Sequence, residues 1–241
     1  MYSATNSTTF LSYFNRIDGF LGIVLWTENY LPFAEKIDQL ATGHYPVSNF
    51  VRAYQHKLKY FGDLRNQLVH GFSLDQHHYL LASDYAIQQI KSVQDALEKP
   101  PEVKTLFSRS LPVCTLQTPL QKIIHQMRQT KAHYLPIYTD KKVFIGLISE
   151  RMIIGFLDIH PEVDTATISV DKVIAETTGE SYLFMSVTTS LYEIEWVFSR
   201  QREEEKELSI IFLTASGDIT DKIIGYITAA DLPKITEAVI L

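Results

Sequence analysis

From Phe10 onward the apolar positions recur at helical spacing: Phe10, Phe14, Ile17, Leu21 and Val24 fall on one stripe. The Ser/Thr/Asn-rich residues 1–9 ahead of it are expected to fray. Pro32 interrupts the period, and Phe33, Ile37 and Leu40 predict a short second helix. The run Thr42-Gly43-His44-Tyr45-Pro46 reads as a loop. A long helix follows from about Asn49 to His70, with Phe50, Tyr54, Leu58, Phe61, Leu64 and Leu68 inward and Gly71 as its C-cap. Ser83-Asp84 starts another helix, which turns Ala86, Ile90, Val93 and Leu97 inward and stops at Pro100-Pro101. Nothing before the proline pair reads as strand, so residues 1–100 are expected to form an all-helical domain.

Beyond residue 100 the pattern changes and occurs twice. Thr118-Pro119-Leu120-Gln121 opens a helix, with Thr118 as N-cap and Pro119 at the first helical position. Thr189-Ser190-Leu191-Tyr192 opens its counterpart. Ile123, Ile124 and Met127 form the apolar stripe of one; Ile194, Val197 and Phe198 form that of the other. Strands are predicted at Tyr134–Tyr138 and Ser209–Leu213, then turns, then closing strands at Val143–Ile148 and Ile223–Ile227. Both copies read strand, helix, strand, turn, strand, helix. The second is longer only in connections, at Arg202–Glu207 and at Gly217-Asp218, which a true repeat tolerates.

Each closing strand ends in the same way, Gly146-Leu147-Ile148-Ser149-Glu150-Arg151-Met152 and Gly225-Tyr226-Ile227-Thr228-Ala229-Ala230-Asp231. At the second, a Thr hydroxyl, a carboxylate and helix-start N–H groups would converge, which suits a ribose phosphate. Thr-x-x-Asp is equally a plain capping arrangement that only stabilises a helix.

This duplicated pattern resembles a tandem pair of CBS domains, over roughly residues 101–241. The resemblance implies an α+β fold, an N-terminal all-α helical bundle followed by two βαββα repeats at 101–168 and 169–241. It implies clefts between the repeats for AMP, ADP, ATP, a cyclic dinucleotide or S-adenosylmethionine. Carried over, Thr228 would sit near phosphate and Asp231 on the ribose, with Tyr226 and Ala230 lining the cleft. In the first copy Ser149 matches and Leu147 lines the cleft, but Met152 stands where Asp is expected and cannot accept from a hydroxyl. Arg151 either adds charge for a phosphate or is a solvated first-turn cation.

A second candidate closes the long helix. Arg65-Asn66-Gln67-Leu68-Val69-His70 sets a cation, an amide and an imidazole in its last turns. Arg65 and His70 diverge by about 140° around an ideal helix, so two chains would pinch a phosphate more easily than one. Arg could stabilise a phosphorane-like charge, and His could move a proton on a ribose 2′-hydroxyl. The Arg-Asn-x-x-x-His layout resembles the HEPN superfamily of helical domains over residues 8–99. It implies metal-independent RNA cleavage by Arg65 and His70 with Asn66 supporting. The alternative is that both cations face the negative end of the helix dipole.

Composition narrows these classes. The 241 residues leave room for two domains, and a net charge of −6 gives no overall basic signal for nucleic acid. The single Cys114 excludes an intramolecular disulfide, fits a reducing cytoplasm, and reads as a buried, inert thiol. Apolar runs such as Phe20–Trp26 are too short to span a bilayer, and no basic leader precedes them. His77-His78 reads as a loop pair rather than a metal site, and no cofactor or metal is expected. The favoured reading is therefore a cytoplasmic, homodimeric sensor of an adenine-type nucleotide that relays binding to the helical domain. The competing reading is an endoribonuclease, acting on RNA, gated by the same nucleotide.

Overall fold

The computed structural model describes residues 4–26, 29–70, 81–203 and 207–240. Gly71, the pair His77-His78 and Glu204-Glu205-Lys206 of the charge run lie outside them. The fold is mixed α+β, a helical N-terminal region followed by a region of strands and helices. The chain divides into two compact units: residues 1–101, 190–200 and 232–241 in one, 102–189 and 201–231 in the other.

The first unit contains α1 (Ala4–Leu25), α2 (Phe33–Thr42), α3 (Ser48–His70) and α4 (Asp84–Glu98). The expected stripes face inward: Phe10, Phe14, Ile17 and Leu21 of α1 are buried, as are Phe50, Leu58, Phe61 and Leu68 of α3. Phe10 meets Phe61 edge-on, with centroids 6.0 Å apart. Ser83 caps α4 by accepting from the Ala86 N–H at 3.1 Å. The predicted fraying of residues 1–9 is corrected over residues 4–9, because α1 begins at Ala4, while residues 1–3 lie outside the described residues. Its polar start is tied to the start of α4, where Asn6 Nδ2 donates to Asp84 Oδ1 at 2.7 Å and the Ala82 N–H donates to Ser7 Oγ at 3.2 Å.

The first unit also holds most of α9 (Leu191–Glu203) and all of α10 (Leu232–Ile240), the two helices predicted for the second repeat. Tyr192 is buried, meets the Phe50 ring edge-on at 5.7 Å and donates to the Ala96 carbonyl at 3.0 Å. The buried Glu195 accepts from Thr236 Oγ1 of α10 at 2.5 Å. The aromatic residues of α9 are thus packing residues of a helical unit.

The second unit holds α5 (Lys104–Phe107), α6 (Leu120–Thr130), β1 (Tyr134–Tyr138), β2 (Phe144–Ser149), α7 (Glu150–Ile159), α8 (Val170–Glu176), β3 (Ser181–Ser186), β4 (Leu208–Thr214) and β5 (Gly225–Ile227). A 3₁₀ turn, Ala229–Asp231, follows β5. β1 and β2 pair antiparallel, Tyr134 opposite Ser149 and Ile137 opposite Gly146. Cys114 adds a single parallel bridge to Ile137. In the other sheet β4 is central, parallel to β3 and antiparallel to β5, and all seven of its residues are buried.

Phe144 and Leu147 of the hairpin meet Ile210 and Phe212 of β4 in one core cluster. The Phe144 ring stands edge-on to Phe184 at 5.1 Å and to Phe212 at 5.6 Å. The opposite face of the hairpin is covered by α6, α7 and α8, through Ile123, Met127, Ile153, Phe156 and Val173.

Thr118 is not the N-cap of α6. That helix starts at Leu120 behind Pro119, and Thr118 Oγ1 accepts from Thr115 N–H at 3.0 Å. The first-turn donors are satisfied from a distance instead: Leu120 N–H reaches the Ile168 carbonyl at 2.7 Å and Gln121 N–H that of Thr165 at 2.9 Å. At α9 the cap is Ser190, which accepts from Glu193 N–H at 3.2 Å, rather than Thr189.

Gly225 sits where a side chain has no room: a Cβ there would lie 2.1 Å from the Phe107 carbonyl oxygen. Both partners are backbone, so neither can rotate away. Gly225→Ala is expected to cost about 2–3 kcal/mol by overpacking, read as a lower denaturant midpoint with unchanged slope. A change under about 0.5 kcal/mol would show that the approach is not tight.

Candidate functional site

β2 ends on Ser149, whose extended backbone lets its Oγ turn back and accept from the Met152 N–H at 3.1 Å, capping α7. The Ser149 hydroxyl proton points elsewhere, to Glu180 Oε1 at 2.5 Å. Glu180 directly precedes β3 and its side chain is 3% exposed. Arg151 grips it with two bonds, Nε to Oε1 at 3.0 Å and Nη2 to Oε2 at 2.9 Å. Ser209 of β4 donates to Oε2 as well. Burial alone pushes the Glu180 carboxyl up, but the donors from Arg151, Ser149 and Ser209 outweigh it and hold it below its ordinary value.

This carboxylate forms part of the wall of a cleft of about 360 Å³. Ser149, Glu150 and Arg151 contribute from the first strand-to-helix junction, and Thr228, Ala229 and Ala230 from the second. At its edge His133 Nδ1 lies 2.7 Å from Glu150 Oε2, and the exposed Glu207 lies 3.9 Å from Arg151 Nη1. Burial pushes the Tyr134 phenol up, and the Glu180 and Glu207 carboxylates add to it.

The second junction is wired differently from the first. Thr228 Oγ1 donates to Asp231 Oδ2 at 3.2 Å, and the Thr228 N–H donates to the same oxygen at 2.9 Å. The Asp231 N–H returns to the Thr228 carbonyl at 2.9 Å. The carboxylate thus reaches back to the Thr228 N–H, one half of a capping box, while the threonine hydroxyl donates to that carboxylate instead of accepting from a first-turn amide. Arg109 Nη2 forms an ion pair with this Oδ2, and its Nε donates to the Tyr226 carbonyl at 3.2 Å. The guanidinium carbon lies 3.9 Å from the Tyr226 ring centroid.

Of the candidate residues, Ser149, Arg151, Thr228 and Ala230 come together on one cleft, while Tyr226 and Asp231 meet around Arg109. Leu147 is buried in the core between the two sheets rather than lining the cleft. At the end of α3, Arg65 Nη1 donates to Asn66 Oδ1 at 3.1 Å and His70 is exposed. Cys114 is buried, which pushes its thiol up to about 12, as an inert packing residue requires. Glu180 and Arg109 escaped sequence reasoning, because each lies in an irregular stretch without periodicity or spacing to mark it.

Because Glu180 titrates lower in the folded than in the unfolded chain, the unfolded chain takes up the proton first as pH falls. Its contribution is whole above the ordinary value of 4.5 and is lost as pH drops through the lower folded value. Glu180→Gln should therefore narrow the stability gap between pH 7 and pH 3, measured by urea unfolding at both. An unchanged gap would remove Glu180 from the acid limb.

Residues 103–159 match the CBS domain family. No curated protein matches the chain. Among solved structures, an uncharacterized conserved protein from Pyrococcus horikoshii is 14% identical with a TM-score of 0.41; the match covers 56% of this chain and 53% of that one. A CBS domain pair in complex with 5-methylthioadenosine and S-adenosyl-L-methionine is 13% identical with a TM-score of 0.42, covering 57% of this chain and 97% of that one. The CBS domain of a bacterial CNNM/CorC family Mg2+ transporter in complex with ATP is 14% identical with a TM-score of 0.43, covering 62% and 94%. Among the described residues no helix is long and apolar enough to cross a membrane.

Proposed function

We propose that this chain is a ligand-sensing regulatory protein. Residues 169–241 form a second CBS repeat, and the pair binds an adenine-type nucleotide or adenosyl compound and relays that binding to the helical domain. The observation that carries the reading is that both strand-to-helix junctions, Ser149–Arg151 and Thr228–Ala230, face one cleft. A duplicated element whose two copies share a cavity is suited to holding one ligand between them.

A covalent path supports the relay. Asp231 ends the second unit, and Leu232 begins α10, which packs in the helical unit. A ligand that moves Thr228–Asp231 pulls directly on the first turn of that helix. The ribonuclease alternative at Arg65, Asn66 and His70 draws no support from the Arg65–Asn66 hydrogen bond, which turns the cation toward its own neighbour.

Self-association as a homodimer belongs to the same proposal. Ile154 and Ile159 of α7 are 67% and 63% exposed, two large apolar side chains that α7 leaves open to solvent. Light scattering is expected to give twice the chain mass at micromolar concentration, and Ile154→Glu should halve it. A single-chain mass for the parent defeats this part.

The direct test is thermal unfolding against adenosine, AMP, ADP, ATP and S-adenosylmethionine. A ligand at 100 times its dissociation constant adds about 2.7 kcal/mol and raises the midpoint by roughly 5–10 °C. Ala230 is exposed on the cleft wall, so Ala230→Trp should block the cavity, abolish the rise and leave the ligand-free midpoint unchanged. No rise with any of the five overturns the reading.

A further inference from the structure

We propose that the cleft selects an adenosyl ligand whose group beside Glu180 is neutral or cationic, against phosphorylated nucleotides, and that Glu180 is the residue that sets this preference. The inference rests on the ligand-sensing reading above and narrows its ligand.

A phosphate needs donors, and the hydroxyls of Ser149, Ser209 and Thr228 and two of the three Arg151 guanidinium nitrogens are committed to carboxylates here. The hydroxyl protons of Ser149 and Ser209 both go to Glu180, and Arg151 spends Nε and Nη2 on the same group. The Thr228 hydroxyl proton goes to Asp231. The helix-start amides are engaged too: Glu150 N–H binds the His133 carbonyl at 3.1 Å, and Met152 N–H binds Ser149 Oγ. The anion-binding capacity of the α7 start is thereby used internally.

The charge balance points the same way. Glu150, Glu180 and Glu207 line the cleft against one guanidinium, Arg151, with His133 beside Glu150. Glu180 is fixed rather than adjustable. It is 3% exposed and held from three sides, so moving it aside would break four hydrogen bonds at once. An incoming phosphate would meet an ionised carboxylate where a cation-bearing or hydroxyl-bearing group would meet an acceptor.

Isothermal titration of the full chain with adenosine, S-adenosylmethionine, AMP and ATP tests this. Adenosine or S-adenosylmethionine is expected to bind the parent at least tenfold more tightly than AMP or ATP. Glu180→Gln, nearly isosteric, should shrink that ratio at least tenfold by strengthening AMP. Glu180→Asp, which keeps the charge, should preserve the order. Tighter binding of AMP or ATP to the parent overturns the inference without any variant, and so does an unchanged ratio in Glu180→Gln; both leave the sensor reading standing. Failure of all four probes to bind the parent overturns the sensor reading and this inference together.

Discussion

A carboxylate taken out of water must find donors for both oxygens, and Glu180 finds them on three separate elements. Ser149 ends β2, Arg151 lies in the first turn of α7, and Ser209 belongs to β4. Since an unpaired buried charge would cost several kcal/mol, these partners hold the β1–β2 hairpin in register with the central strand β4. The Arg151 head is 64% exposed, so its Coulomb contribution is screened and the hydrogen bonds carry most of the constraint. The same group makes one wall of the cleft, which couples the chemistry of the site to the assembly of the fold.

Around that constraint an aromatic cluster joins the two sheets. Phe144 brings its ring against Tyr182, Phe184 and Phe212, and the two small sheets interlock through side chains of β2, β3 and β4. A two-stranded hairpin is marginal alone, and β1–β2 needs this cover on one face and α6–α8 on the other.

The two strand-to-helix junctions share a sequence outline and are wired differently. In the first, the serine caps a helix and its hydroxyl engages a remote carboxylate. In the second, the aspartate reaches back to the threonine N–H, and Arg109 neutralises that aspartate. The α9 and α10 helices of the second copy pack with the N-terminal helices, so what reads as a symmetric duplication along the chain is divided between two compact units.

Periodicity and turn chemistry alone determined much of this protein. The apolar stripes of α1, α3 and α4 are local 3.6-residue patterns, and β1 falls on Tyr134–Tyr138, where it was expected. The two junctions were legible because each is marked by a Gly before its strand end and a hydroxyl residue at the helix start. What depended on remote partners was not. Thr118 lost its capping role, and the first-turn amides of α6 found carbonyls at Thr165 and Ile168 instead. Glu180 and Arg109 acquire their roles only from groups between 29 and 122 positions away, such as Arg151 and Asp231. Local spacing decided which elements form and where the junctions lie. Tertiary structure decided which donors those junctions still offer, because a buried charge takes its partners from whatever the fold brings within reach.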